Sequence, residues 1–311
     1  MSAVVIRQPR RVSYAGVRTP HGKASLAVLK AQAHLAYRAQ FVLPRTEVSS
    51  STSFTVEEKQ IDQDTPVNGS LAVFLQLHNM EQLDEWTEYL LTLQTFHSFD
   101  LFVTVLQPEN VDQVSKKMSS LSLRAIDVFH NRGMDIGGFL WQAKNHLSAL
   151  SSYDAVLKLH TKTDKGWRMA ISQCFLSPRL TEWVNALHSK RYGWMGARSY
   201  LTRSEWAEQD KTRKLEMGAF RRVSSPLQRI FVAGSMFLLR ADRLRELLLH
   251  PGLNKMVESC YLTTPVGRAV DDWPHAFERF LLIFCSMHGD KYLAIVSSNA
   301  SKDPRVSKSS K

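Results

Sequence analysis

Between Leu71 and Leu159 the chain alternates short apolar runs with segments whose apolar residues recur at helical spacing. LAVFLQLH (71–78) is a short apolar run ending in His78, the pattern of a strand buried on both faces. NMEQLDEWTEYLLTLQTF (79–96) places Leu83, Trp86, Tyr89, Leu90 and Leu93 along one side of a helix. DLFVTVL (100–106) predicts a second strand, closed by Gln107-Pro108, and Val111 to Met118 a helix. A third strand follows over Leu123–Phe129, then a helix from about Phe139 to Leu150, and a fourth strand over Asp154–Leu159. This alternation predicts an α/β fold: a mostly parallel central sheet with helices on both faces.

Beyond Leu159 the pattern is less regular. Ile171–Ser189 reads as one or two helices broken near Pro178, and 191–197 as a short strand. Residues 198–226 are polar and predict a flexible excursion. IFVAGSMFLLR (230–240) predicts one strong strand, interrupted by Gly234 and Ser235. Asp242 is a reasonable N-cap for a helix through Leu249. Asp271-Asp272-Trp273-Pro274 then leads into the helical run HAFERFLLIFCSM, with Pro and carboxylates where helix starts favour them. LAIVSS (293–298) predicts a last strand.

These elements place one folded domain at 71–296. Before it, 1–22 reads as a disordered basic terminus, 23–45 as an Ala-rich helix and 46–70 as a Ser/Thr/Asp linker; 297–311 reads as a disordered basic tail. The net charge of +11 suggests a nucleic-acid partner until the charges are placed. Eight Lys/Arg and no acid lie in 1–46, and four Lys/Arg with one Asp lie in 297–311, so the body carries none of the excess. That removes a basic nucleic-acid groove, although the tails are suited to peripheral contact with an anionic membrane surface. Cys174, Cys260 and Cys285 are isolated, with no CxxC pair, which fits a reducing compartment, and a cytoplasmic location is expected. The Arg-rich, acid-free start weakly resembles an organelle transit peptide.

Two loops carry the candidate chemistry. As parallel neighbours, the third and fourth strands would open both loops at the ligand edge of the sheet. The first, Asn131-Arg132-Gly133-Met134-Asp135-Ile136-Gly137-Gly138, lacks a dinucleotide fingerprint but offers Asp135 to ribose or sugar hydroxyls and Arg132 to phosphate. Alternatively, Asp135 caps a helix starting near Ile136. The second is Lys158-Leu159-His160-Thr161-Lys162-Thr163-Asp164, where alternation puts Lys158, His160 and Lys162 on one face. Two lysines and a histidine suit a diphosphate better than a hard divalent cation, so no metal site is expected and a divalent cation is not indicated. Gly234 and Ser235 mark a close backbone approach, and Asp271 or Asp272 is the candidate general base. His78, Asp164, Trp167, Arg168, His275, Glu278 and Arg279 are supporting candidates.

In this order, AVFLQLHNMEQLDEWTEYL, NRGMDIGGFL, YDAVLKLHTKTDKGWR, FVAGSMFLLR and DDWPHAFERFL resemble the rhamnan synthesis protein F family of polysaccharide glycosyltransferases. The resemblance covers roughly 71–290, and the NRGxDIGxFL and KLHTK segments are its specific signatures. It implies a GT-A-like nucleotide-sugar fold and inverting transfer of rhamnose or a related sugar from a nucleotide-diphosphate donor to a glycan acceptor. The sequence departs from it at Gly138, where Pro is expected, and at Met134, where a basic residue is expected. VDDWP replaces an Asp-Gly-Thr segment, which leaves the choice between Asp271 and Asp272 open. Asp135→Ala and His160→Ala are expected to abolish transfer without unfolding the protein.

Overall fold

The computed structural model describes residues 69–130, 132–203, 210–225, 228–262 and 272–295. The terminus 1–22, the helix 23–45, the linker up to residue 68 and the tail 297–311 lie outside them, as do Asn131 and Asp271.

All seven residues of β1 (Leu71–Leu77) are buried, which is why the run is apolar at every position but Gln76. Leu71, Val73, Leu75 and Leu77 face one core, while Ala72 and Phe74 face another. On the first face, α1 (Leu83–Phe96) contributes Trp86, Leu90 and Leu93. The short α2 (Val111–Lys117), α4 (Lys165–Ser172) and α5 (Leu180–His188) pack there through Val114, Ile171, Trp183 and Val184. On the second face lie α3 (Met134–Asn145), α7 (Ala241–Leu249), α8 (Asn254–Leu262) and α9 (Trp273–Met287), contributing Phe139, Leu244, Val257 and Phe277. The architecture is therefore the expected α/β one.

The main sheet also contains β2 (Asp100–Val105), β3 (Leu123–Val128), β4 (Ala155–His160), β5 (Trp194–Ala197), β8 (Phe237–Arg240) and β9 (Tyr292–Ile295), in the order β3-β2-β1-β4-β8-β5-β9. β1 pairs in parallel with both β2 and β4, whereas β8 runs antiparallel between β4 and β5. The third and fourth strands are thus parallel but not neighbours, since β2 and β1 lie between them. The chain runs outward from β1 to β3 and then returns to the other side of β1. This reversal puts a crevice at the C-terminal ends of β1 and β4, the usual place for a ligand in such sheets. Because β8 is antiparallel, its beginning comes to the same edge, with Phe237 opposite Lys158.

Four expectations change. The helix after β3 starts at Met134 rather than near Phe139, which places Asp135 in its first turn. The run 230–240 is two strands: β7 (Ile230–Val232) pairs with β6 (Leu201–Arg203) in a separate small sheet, and only β8 joins the main one. The polar stretch 198–226 contains β6 and the helix α6 (Asp210–Phe220). Asp242 lies inside α7 and accepts hydrogen bonds from Arg240 instead of capping the helix.

Candidate functional site

The end of β4 is fixed to the end of β1 by Thr161, whose hydroxyl accepts from the backbone N–H groups of His78 (3.0 Å) and Asn79 (3.2 Å). Lys158 and His160 both point to the α3 side of the sheet, the alternation that a strand imposes. Lys158 is fully buried between the rings of Phe139 and Phe237. Its ammonium donates to Asp135 Oδ2 at 2.6 Å and to the Ser235 carbonyl at 2.8 Å. His160 Nε2 lies 2.7 Å from the Gly234 carbonyl and 3.8 Å from Asp135 Oδ2, and Nδ1 lies 2.8 Å from the Thr161 carbonyl.

Two backbone features make this cluster possible. Gly133 caps α3 at φ +67°, and a Cβ there would fall 2.2 Å from the Cys260 carbonyl at the end of α8. Only glycine allows that approach, which swings the first turn of α3, and Asp135 with it, across to β4. In the turn between β7 and β8, Gly234 (φ +97°) and Ser235 (φ +57°) are both left-handed. Glu278 of α9 holds that turn: its Oε1 accepts from the Gly234 N–H (2.9 Å) and from the Ser235 hydroxyl (3.1 Å). The turn's carbonyls are thereby directed at Lys158 and His160.

The charges follow from this packing. Burial opposes ionisation of Asp135, but His160, Lys158 and Lys162 together outweigh it and hold the carboxyl far below its ordinary range. Burial lowers the Lys158 ammonium despite its Asp135 partner. For His160 the two carbonyls and Asp135 favour a doubly protonated ring, yet burial, Lys158 and Lys162 prevail and bring it down to about 4. At neutral pH the ring is uncharged, so one of its nitrogens faces a carbonyl without a proton to share.

Lys162 lies beyond the strand, half-buried, with its ammonium 4.0 Å above the Trp167 ring. Trp167 stacks on Tyr200 at 5.7 Å, and its buried Nε1 has no hydrogen-bond partner among the described residues. Asp164 caps α4 by accepting from the Trp167 N–H. Arg168 is buried, makes a paired contact with Glu85 (2.8 and 2.7 Å) and donates to the Lys162 carbonyl, so it clamps the second loop to α1. Arg132 is exposed beside the first loop. Burial lowers the imidazole of His78, which stands at the end of β1.

At the start of α9, Asp272 is the N-cap, and Oδ1 accepts from the His275 N–H at 2.9 Å. α9 packs against both α3 and α8, which brings this helix start to the side of the sheet where the first loop lies. Arg279 is buried and donates to the His275 carbonyl. The structure thus brings together Asp135, Lys158, His160, Lys162, Gly234, Ser235 and Glu278, with Asp272 and His275 at the rim. Thr161, Glu85 and Tyr200 went unrecognised in the sequence. Thr161 sits inside the KLHTK signature, whereas nothing local distinguishes the other two.

Among the described residues, no group of three or more His, Cys, Asp or Glu is placed to hold a metal ion. At the end of β4 the side chains are cationic or neutral donors, a set that does not fit a hard cation. A cavity of ≈ 540 Å³ lined by Asp100, Arg124, His146 and Tyr153 opens at the opposite edge of the sheet, away from this cluster. No described helix is long and apolar enough to cross a membrane.

A family model described as rhamnan synthesis protein F matches residues 24–188, more than half of the chain. No curated protein matches. Among solved structures, the chain is similar to the mannosyltransferase PcManGT from Pyrobaculum calidifontis in complex with GDP-Man and Mn2+. The identity is 13% and the TM-score 0.40, over 91% of this chain and 69% of that one.

Proposed function

Because this chain belongs to the rhamnan synthesis protein F family, we propose that it is a glycosyltransferase with a GT-A-like domain, moving rhamnose or a related sugar from a nucleotide-diphosphate donor to a glycan acceptor with inversion. The observation that carries the reading is the cluster at the reversal point of the sheet, where Asp135 meets Lys158 and the Gly234–Ser235 turn. Asn131, Arg132, Gly133 and Asp135 belong to the donor side, with Asp135 accepting from sugar or ribose hydroxyls. Lys162 and Arg132 are the cations with exposed surface to meet the diphosphate. Lys158 and His160 lie beneath, setting the orientation of Asp135 and the local field as the leaving group gains charge. Gly234 and Ser235 complete the floor. The acceptor hydroxyl is met at the start of α9, the helix that follows the Asp271-Asp272 segment. The protein works where nucleotide sugars are made, in the cytoplasm, without a nucleic-acid partner.

A screen of nucleotide-diphosphate sugars for transfer, with and without EDTA, tests this reading. Transfer from at least one donor is expected, with little loss in EDTA. A second reading has one observation in its favour: Lys158 and His160 are already occupied by protein groups. It is a glycan- or nucleotide-sugar-binding protein without turnover. Calorimetric binding of a donor that is neither transferred nor hydrolysed would decide for it.

A further inference from the structure

An attacking acceptor hydroxyl must give up its proton, and among the described residues the carboxylates of this cluster already hold hydrogen-bond partners. Asp135 is tied to Lys158. Glu278 Oε1 holds the Gly234–Ser235 turn. Asp272 uses Oδ1 twice, accepting from the His275 backbone N–H at 2.9 Å and meeting His275 Nδ1 at 2.7 Å. An ionised carboxylate only accepts, so Nδ1 carries the hydrogen and neutral His275 presents the lone pair of Nε2. Nε2 bonds no described residue, and the side chain remains 19% exposed.

Position agrees with this chemistry. His275 and Glu278 are three residues apart on α9, hence on one face. Glu278 braces the turn whose carbonyls hold Lys158 and His160, so His275 stands one helical turn from the floor of the site. On the reading that the chain is a glycosyltransferase, we infer that His275, oriented by Asp272, is the general base of transfer. Nε2 takes the proton of the acceptor hydroxyl as its oxygen bonds to the anomeric carbon. The bond from that carbon to the phosphate oxygen breaks, and the nucleoside diphosphate leaves with the electron pair. Asp272 is the positioning residue.

The surrounding charges favour this division of labour. Burial lowers His275, but Asp272 and Glu278 outweigh both burial and Arg279, and it ends above its ordinary 6.5. Burial raises Asp272, but the bonds and charge of His275, with Lys211 of α6, bring it below its ordinary 3.8. Burial raises the Cys260 thiol of α8, and the charge of Asp272 adds to that, so no second cation arises there. The histidine is the stronger base of the two.

The test compares wild type, Asp271→Asn, Asp272→Asn and His275→Gln for transfer from about pH 5 to 9, alongside donor binding and thermal unfolding. His275→Gln is expected to lower kcat by roughly 10²–10⁴-fold with donor KM unchanged, and to abolish the acid limb of the profile. Asp272→Asn should move that limb to lower pH. Turnover within about threefold of wild type in His275→Gln, or an unchanged acid limb, overturns the inference. So does loss of transfer in Asp271→Asn alone. Nitrogen-15 spectra of the histidines read the dyad without turnover: Nε2 should titrate above 6.5 in wild type and lower in Asp272→Asn. A ring protonated on Nε2 when neutral overturns the assignment even if no donor is ever found. Absence of transfer from every donor in wild type counts against the glycosyltransferase reading instead.

Discussion

Lys158 is a fully buried ammonium whose charge is answered by one carboxylate and one carbonyl. Removing Asp135 leaves that ammonium uncompensated, which typically costs about 3–5 kcal/mol. Asp135→Ala is therefore expected to destabilise the protein as well as stop transfer, and urea unfolding will register it. The paired change Asp135→Leu with Lys158→Met should recover most of the stability and none of the activity. His160 adds a pH dependence of predictable sign. Its imidazole is held at about 4 in the folded chain against 6.5 ordinarily. Between those values the unfolded state binds more protons, so stability falls as pH falls through that window, by up to about 3 kcal/mol. Below it, no further loss comes from this group. His78 and His97, also lowered by burial, act in the same direction. In His160→Gln the slope of unfolding free energy over that window should be shallower than in wild type. Strand alternation revealed which face Lys158 and His160 share. It could not reveal depth, so Lys158 looked as available to a ligand as Lys162.

At the scale of elements, two adjacent glycines of α3 behave oppositely. A Cβ on Gly137 would fall 2.6 Å from the Arg132 carbonyl, a backbone atom that cannot step aside. A Cβ on Gly138 would meet Phe129, His78 and Gln76 at 3.5–3.8 Å, ordinary contact. Gly137→Ala should destabilise by about 1–3 kcal/mol. Gly138→Ala should stabilise by roughly 0.5–1 kcal/mol, since a mid-helix glycine costs about that much relative to alanine. Thermal unfolding of the pair checks both. The same glycines explain a misread boundary: Asn-Arg-Gly followed by two more glycines has loop composition, and tertiary contact with α8 overrides it. β1 was legible because burial on both faces leaves a run that is apolar at every position but Gln76. IFVAGSMFLLR was legible as strand, but an apolar run does not show that the chain leaves one sheet for another at Gly234. The pair of α6 and β6 lay hidden in a polar stretch whose partners are far away in the chain.

At the scale of the whole molecule, the far side of the sheet is secured by a polar knot. Arg240 at the end of β8 and Arg243 of α7 both donate to Asp290, just before β9, at 3.1 Å and at 2.6 and 3.1 Å. Asp290 and Arg240 are almost fully enclosed. Asp290→Ala should cost about 1–3 kcal/mol in urea unfolding, because two guanidinium groups lose their shared partner while Arg240 keeps Asp242 and Arg243 keeps Glu246. The site lies at the other end of the strands, so donor KM should be unchanged in whatever fraction remains folded.

The strand order also sets a timetable. β1 to β4 come from one continuous stretch and pair with one another, with only the outer edge of β4 left for β8, so this half-sheet can form once β4 is made. β5 follows soon after but pairs only with β8 and β9, which are synthesised later. During synthesis, then, β5 emerges as an apolar strand without a partner, and β4 presents an open edge until residues near Phe237 arrive. That interval is when the nascent chain is most open to pairing with a neighbour. It is also when the cluster beneath the site is incomplete, for Ser235 and Glu278 have yet to be added.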